Sequence, residues 1–333
     1  MGILSVRRKI TPTMLKTPGV VGIGNVGKTL RIYVENNPAP QLPRKIDGFD
    51  VEVVKVGKIT ALSLLNVYPK DYGVEDYMGT LNVPWLIPKI AMDPLRTGSY
   101  RPVVGGVSIG HPNITAGTNG TSLKFLRLPY AISNNHVLAA GSSIASPKAN
   151  IGDPIYQPGP YDGGGPEDRV GTLETYIPID EVNPNQFDVA VWRPDSPDML
   201  DDEILELGVP RGASRVENID EIVTKSGRTT GVTSAPVLDL HATITVNYGT
   251  FEATFHNQIL TDYMADGGDS GSALLDENMN LVGLLFAGSS YVTCHNHIDG
   301  ILSWLGSGVV PPSGGVGLFT HIVLPLVVGA ALL

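Results

Sequence analysis

The chain has one cysteine, Cys294, so no intrachain disulfide can form. A fold without such staples must rest on its own core or belong to a reducing compartment. The basic start Met1-Gly2-Ile3-Leu4-Ser5-Val6-Arg7-Arg8-Lys9 is not followed by the long apolar run of a secretory leader. Val6 also stands where a myristoylation pattern needs Ser or Thr. A cytoplasmic or otherwise reducing location is therefore the expectation. Basic residues are the minority, 23 Lys and Arg against 33 Asp and Glu, for a net charge of −10. That balance argues against nucleic acid as the main partner, because phosphate binding needs a basic face.

What is present is apolar and heavily punctuated. Across 333 residues, 42% hydrophobic content is enough for a substantial core, and the length suits two domains or one large domain with an appendage. The 39 glycines and 26 prolines separate many short β-rich runs, which favours a mostly β protein. Residues 18–66 form a first unit, with Leu30-Arg31-Ile32-Tyr33-Val34-Glu35 alternating as a half-buried strand and Phe49-Asp50-Val51-Glu52-Val53-Val54 repeating the pattern. Within it, Gly22-Ile23-Gly24-Asn25-Val26-Gly27-Lys28-Thr29 matches both a phosphate-loop pattern and a dinucleotide fingerprint. Either motif needs a helix to follow, so that a helix N-terminus faces the phosphate. A strand follows instead, so a glycine-rich hairpin turn is the expectation and nucleotide binding the remote alternative.

The segment Ala265-Asp266-Gly267-Gly268-Asp269-Ser270-Gly271-Ser272 places a serine in a tight turn. Gly268 and Gly271 free the backbone to aim the N–H groups of Gly268 and Ser270 at one point, an oxyanion hole. Serine is a weak nucleophile unless a histidine base and an orienting carboxylate accompany it. Tyr130-Ala131-Ile132-Ser133-Asn134-Asn135-His136-Val137-Leu138 reads as a strand that delivers His136 at its end. Phe187-Asp188-Val189-Ala190-Val191-Trp192 is another β-rich run, with Asp188 at its start. The order is His, Asp, Ser with gaps of 52 and 82 residues, the order used on double β-barrels.

These three segments resemble those of trypsin-like serine proteases of the chymotrypsin fold, in their cysteine-poor branch. Ser133-Asn134-Asn135-His136-Val137 and Phe187-Asp188-Val189-Ala190-Val191 are similar to the high-temperature-requirement proteases. Gln157-Pro158-Gly159-Pro160-Tyr161-Asp162-Gly163-Gly164 and Lys225-Ser226-Gly227-Arg228-Thr229-Thr230-Gly231 resemble bacterial, phage and plant narrow-leaf trypsin-like proteins. The likeness covers residues 100–305. It implies two six-stranded antiparallel β-barrels, at about residues 104–200 and 220–305 of a protease region spanning 101–310. A small α+β accessory domain over residues 1–100 would precede them, and an apolar tail over 311–333 would follow.

The same resemblance implies a serine endopeptidase with His136, Asp188 and Ser270 as triad and Gly268 and Ser270 as oxyanion donors. Each donor is typically worth about 3–4 kcal/mol. No cofactor or metal is called for, and the partner is a protein or peptide substrate. A pseudoprotease that binds peptides on the same fold is the alternative. Met264, Ala265, Phe286, Ala287 and Gly288 would line the primary pocket, and the substrate backbone would pair with the Phe286 to Gly288 edge as an added strand. Met264 stands six residues before Ser270, where Lys/Arg-cutting trypsins carry an aspartate, so an apolar or small side chain is the expected preference.

Two further features bear on regulation and location. Val103-Val104-Gly105-Gly106 resembles the new N-terminus that trypsin zymogens expose to pair with the aspartate before the nucleophile, here Asp269, although Pro102 hinders cleavage there. Residues 316–333 are almost wholly apolar, interrupted by Thr320, His321 and Pro325. A membrane contact, docking on the protease, a subunit interface and a virion contact are all open readings of that tail.

Overall fold

The computed structural model describes residues 2–36, 42–62, 95–125, 127–306 and 309–310. Successive side chains of the long strand Gly231–Asn247 face opposite ways: Ala235, Val237 and Asp239 are buried while Pro236 and Leu238 are partly exposed. Two sheets carry the candidate chemistry. One runs Pro154–Tyr156, Arg169–Tyr176, Ala190–Pro194, Leu128–Ser133, Thr121–Phe125 and Val309–Val310, all neighbours antiparallel. The other runs Ile222–Gly227, Ala273–Leu275, Asn280–Gly288, Val292–His297, Glu252–Asp262 and Gly231–Asn247. A further pairing of Ile222–Gly227 with Gly231–Asn247 returns that path to its first strand.

Each sheet encloses its own apolar cluster, and a third cluster joins them. Trp192, Ile109, Leu138 and Ile155 fill the first, and Ile244, Phe255, Leu260 and Phe286 the second. In the third, Ile132 and Val191 of the first sheet meet Leu275 and Leu284 of the second, with Ile301 from the helix Ile298–Leu305. This shared cluster holds the end of Leu128–Ser133 against the start of Ala273–Leu275, and the three candidate site segments converge beside it.

The N-terminal strands extend the second sheet. Val20–Val26 pairs with Gly231–Asn247 at Gly22↔Ile244 and Ile23↔Thr243, then with Thr29–Val34, which pairs in parallel with Phe49–Lys55. The helix Ile3–Met14 covers them, with Ile10 and Met14 packed against Val20, Ile23 and Ile32. Residues 22–29 thus form a hairpin whose turn holds Gly27 at φ +54°. The strand Thr29–Val34 follows the turn, so the loop does not lead into a helix, and the nucleotide-binding alternative loses the following helix it requires. Among the described residues no helix is long and apolar enough to cross a membrane, and the apolar run 316–333 lies outside them.

A polar joint locks the N-terminal strands to Gly231–Asn247. The Tyr33 hydroxyl donates to Asp239 Oδ2 at 2.5 Å, the His241 N–H donates to Oδ1 at 2.8 Å, and Arg31 donates to the Leu238 carbonyl at 2.8 Å. A side chain at Gly24 would collide with the Asp239 carboxylate, the added Cβ lying 1.8 Å from Oδ2. Burial raises the Asp239 carboxyl above the usual carboxylate range, against the Tyr33 and His241 hydrogen bonds, which favour the charged form. Tyr33→Phe should destabilise the protein by about 1–3 kcal/mol, since a buried acceptor loses its donor. The Asp239 pKa is higher folded than unfolded, so its contribution is full below the unfolded value and is lost as pH rises through the folded one. Melting curves of wild type and Asp239→Asn across that window should therefore diverge in the variant's favour as pH rises. A difference independent of pH would contradict the raised value.

Candidate active site

The strand Leu128–Ser133 ends where Asn134 takes an extended conformation and the one-turn helix Asn135–Leu138 begins, which puts His136 in its first turn. Asn135 fixes that turn by donating to the carbonyls of Ser142 at 2.9 Å and Ile177 at 2.6 Å. Asp188 is fully buried, and its backbone is gripped from both sides. Asn134 donates to its carbonyl at 2.7 Å, and its N–H donates to Asn296 Oδ1 at 2.8 Å. The Asp188 carboxylate accepts three hydrogen bonds: from His136 Nδ1 at 2.6 Å, from the Tyr248 hydroxyl at 2.8 Å and from the His136 backbone N–H at 3.3 Å. Burial, and then the negative charge of Asp188, push the Tyr248 hydroxyl well above its ordinary value, so it stays a donor. With Nδ1 committed to Asp188, His136 presents Nε2, which is buried and has no hydrogen-bond partner among the described residues.

Ser270 lies in a turn closed by Asp269 N–H to Asp266 O and Ser272 N–H to Asp269 O, both 3.0 Å. Gly271 follows at φ +95°, and a Cβ there would sit 2.0 Å from Ser133 Oγ, so the Ser270 turn abuts the strand that leads to His136. The Thr118 N–H donates to the Ser270 carbonyl at 2.8 Å, tying the turn to the first sheet's side of the molecule. The Ser270 hydroxyl donates to the Phe286 carbonyl at 3.2 Å. The Gly268 N–H donates at 2.8 Å to the carbonyl of Leu62.

Asp269, beside Ser270, is fully buried and its carboxylate is saturated within the chain. Oδ1 accepts the N–H groups of Thr229 at 2.8 Å and Thr230 at 3.1 Å. Oδ2 accepts the Thr230 hydroxyl at 2.6 Å, the Asp266 N–H at 3.0 Å and Lys225 Nζ at 3.3 Å. Lys225 is itself fully buried; desolvation lowers its pKa, and the Asp269 charge opposes the shift. The cation for Asp269 is therefore an internal lysine. Val103, the first residue of the segment that resembles a zymogen N-terminus, is buried in the strand Val103–Gly105 alongside Leu200–Ile204.

The expected pocket residues separate into two groups. Ala265 packs with Leu285 and Leu62, while Phe286, Ala287 and Gly288 border residues 60–62. Met264 packs instead among Val216, Val223, Leu274 and Val282 in the core of the second sheet, with its N–H donating to Thr293 Oγ1 at 3.1 Å. Tyr248, Asn296 and the pairing role of Lys225 escaped the sequence reading. Lys225 stood within a recognisable motif, whereas Tyr248 and Asn296 reach Asp188 only through strand pairing far along the chain.

A family model described as Trypsin matches residues 129–304. No curated protein matches the sequence. Among solved structures, the chain is similar to Thermobifida fusca protease A at 20% identity, covering 62% of this chain and 96% of that one with a TM-score of 0.46. It is similar to Cellulomonas bogoriensis chymotrypsin at 20% identity, covering 63% and 98% with a TM-score of 0.45. A glutamic acid specific serine protease is also similar at 20% identity, covering 63% and 100% with a TM-score of 0.44.

The buried Lys225–Asp269 pair sets a measurable expectation. Lys225→Met leaves a desolvated carboxylate with hydrogen bonds but no counter-charge, which should cost about 3–5 kcal/mol in urea unfolding. A loss below about 1 kcal/mol would mean that hydrogen bonds from Thr229, Thr230 and Asp266 carry the carboxylate unaided.

Proposed function

Because the chain belongs to the Trypsin family, serine-type peptidases of the chymotrypsin fold, we propose that it is an endopeptidase whose triad is His136, Asp188 and Ser270. The observation that carries this reading is the 2.6 Å contact of His136 Nδ1 with a buried Asp188, which leaves Nε2 for the proton transfer. In the reacting enzyme the Ser270 hydroxyl donates to His136 Nε2 in place of the Phe286 carbonyl. Catalytic hydrogen bonds of this kind often form only once substrate is bound.

The steps follow from these roles. Ser270 Oγ attacks the substrate carbonyl carbon as His136 Nε2 takes its proton, and Asp188 stabilises the imidazolium while fixing the ring's tautomer. The developing oxyanion is stabilised by backbone N–H groups of Gly268 and Ser270. His136 then protonates the leaving amine, and water hydrolyses the acyl-enzyme by the reverse sequence. Tyr248 is a positioning residue, since its hydroxyl shares Asp188 Oδ2 with the histidine.

For specificity, Ala265, Leu285 and Gly288 offer no charged group to a substrate side chain, which supports an apolar preference at the residue preceding the cut. Met264 enters this reading only indirectly, through the absence of an acid at its position. The rival is a peptide-binding scaffold with an inert cleft.

Peptide hydrolysis should vanish in Ser270→Ala with the thermal melt unchanged, and Asp188→Asn should lose about 10³–10⁴-fold in kcat by presenting the wrong tautomer. Hydrolysis that persists in Ser270→Ala would sink the assignment. A peptide library should show cleavage after apolar residues, and cutting strictly after Lys or Arg would refute the pocket reading.

A further inference from the structure

Residues 59–62 of the N-terminal unit lie where a substrate's acyl half belongs. Thr60–Ala61 pairs antiparallel with the edge of Asn280–Gly288, at Ala61↔Ala287 and Thr60↔Gly288. The Leu62 N–H donates to the Phe286 carbonyl at 3.3 Å, the same carbonyl that holds the Ser270 hydroxyl. The Leu62 carbonyl accepts the Gly268 N–H at 2.8 Å. Its side chain packs against Ala265 and Leu285, and a Cβ on Gly288 would approach Leu62 Cδ1 at 3.2 Å. One residue thus meets the candidate oxyanion donor, the edge strand and the apolar recess together.

The segment is held there from upstream. Thr60 also pairs in parallel with Asn247, the Asn247 N–H donates to the Ile59 carbonyl at 3.0 Å, and Ile59 is buried beside Phe255 and Phe286. The Ser289 hydroxyl grips the Val56 carbonyl. Behind these contacts stands the Tyr33–Asp239 joint, so the strands Val20–Val26 and Thr29–Val34 are anchored to the sheet that carries the edge strand.

Building on the triad reading above, we infer that the enzyme cuts its own chain after Leu62. Ser270 Oγ bonds to the Leu62 carbonyl carbon while His136 takes the hydroxyl proton, and the bond to the nitrogen of Ser63 breaks as His136 returns that proton to the departing amine. Water then hydrolyses the Leu62 ester, giving a Leu62 carboxylate and a free Ser63 α-amine. Because Val20–Val26 remains paired with Gly231–Asn247, the fragment ending at Leu62 stays bound and its product end occupies the cleft. The N-terminal unit is then at once the first substrate and a product inhibitor. The new chain end is unrelated to Val103, because Asp269 already has Lys225.

The test is intact-mass analysis and N-terminal sequencing of the full chain, beside Ser270→Ala, Leu62→Asp and Leu62→Gly, each also treated with a fluorophosphonate. The wild type should appear as two co-eluting fragments with a new N-terminus at Ser63, formed at a rate independent of protein concentration. Ser270→Ala should stay whole. Leu62→Asp should stay whole at this bond yet label at Ser270 about tenfold faster than wild type, because its cleft is released; Leu62→Gly repeats this if the aspartate disturbs folding. A wild type that labels at Ser270 while intact overturns self-cleavage and leaves the peptidase reading standing. A cut at Leu62 in Ser270→Ala, or a rate that rises with concentration, also overturns it. Absence of labelling in wild type and both Leu62 variants would instead bring down the triad reading itself.

Discussion

The Ser270 turn is organised around a carboxylate that water cannot reach. Asp269 is fully buried, and an ionised carboxylate in that position is tolerable only if donors and a counter-charge surround it. The chain supplies both from residues 225–230 and from Asp266. Those contacts leave the turn, with the Gly268 N–H and Ser270 on either side of Asp269, little freedom. Neighbouring contacts extend the constraint: the Thr118 hydroxyl donates to the Gly268 carbonyl at 2.8 Å and accepts the Arg228 N–H at 3.0 Å. Arg228 in turn pairs with Asp162, which also accepts the Ser108 hydroxyl at 2.6 Å. The Ser270 turn is thereby braced between the residues that follow Ile222–Gly227 and the short strand pair Ser108–Ile109 and Gly117–Thr118.

The internal Lys225 has a consequence for control. Where the cation for such an aspartate is a freed α-amine, chain cleavage orders the turn; here the cation is present in the intact chain and the turn is formed without it. Formation of the turn therefore needs no new chain end. In the same structure the Gly268 N–H is engaged by Leu62 and Ser270 is sealed from solvent. An N-terminal unit that continues the second sheet, rather than a separate module on a tether, is a sound way to hold a peptide there. A pre-ordered segment loses little conformational entropy on docking.

Much of this was legible along the chain. Ser270 announced itself through Gly268 and Gly271, His136 through the end of an apolar strand, and Asp188 through its β-rich context, because turns and strands are encoded by near neighbours. The hairpin at residues 22–29 was legible for the same reason. Met264 was not: counting back from Ser270 gives its position in sequence, but side chains alternate along a chain leaving a strand, and it is Ala265 that packs with Leu62. Tyr248 and Asn296 were invisible, since they lie 60 and 108 residues from the aspartate they support.

The sequence by itself determined the mostly β character, the order of the His, Asp and Ser segments, the absence of disulfides and the strand that follows the glycine-rich loop. All of these are set by local patterning or by composition. Only the tertiary structure decided that Lys225 neutralises Asp269, that the N-terminal strands join the second sheet, and that Leu62 meets the Gly268 N–H. Each of these depends on which distant backbones pair and which buried charge finds a partner, and such non-local choices leave no period in the sequence.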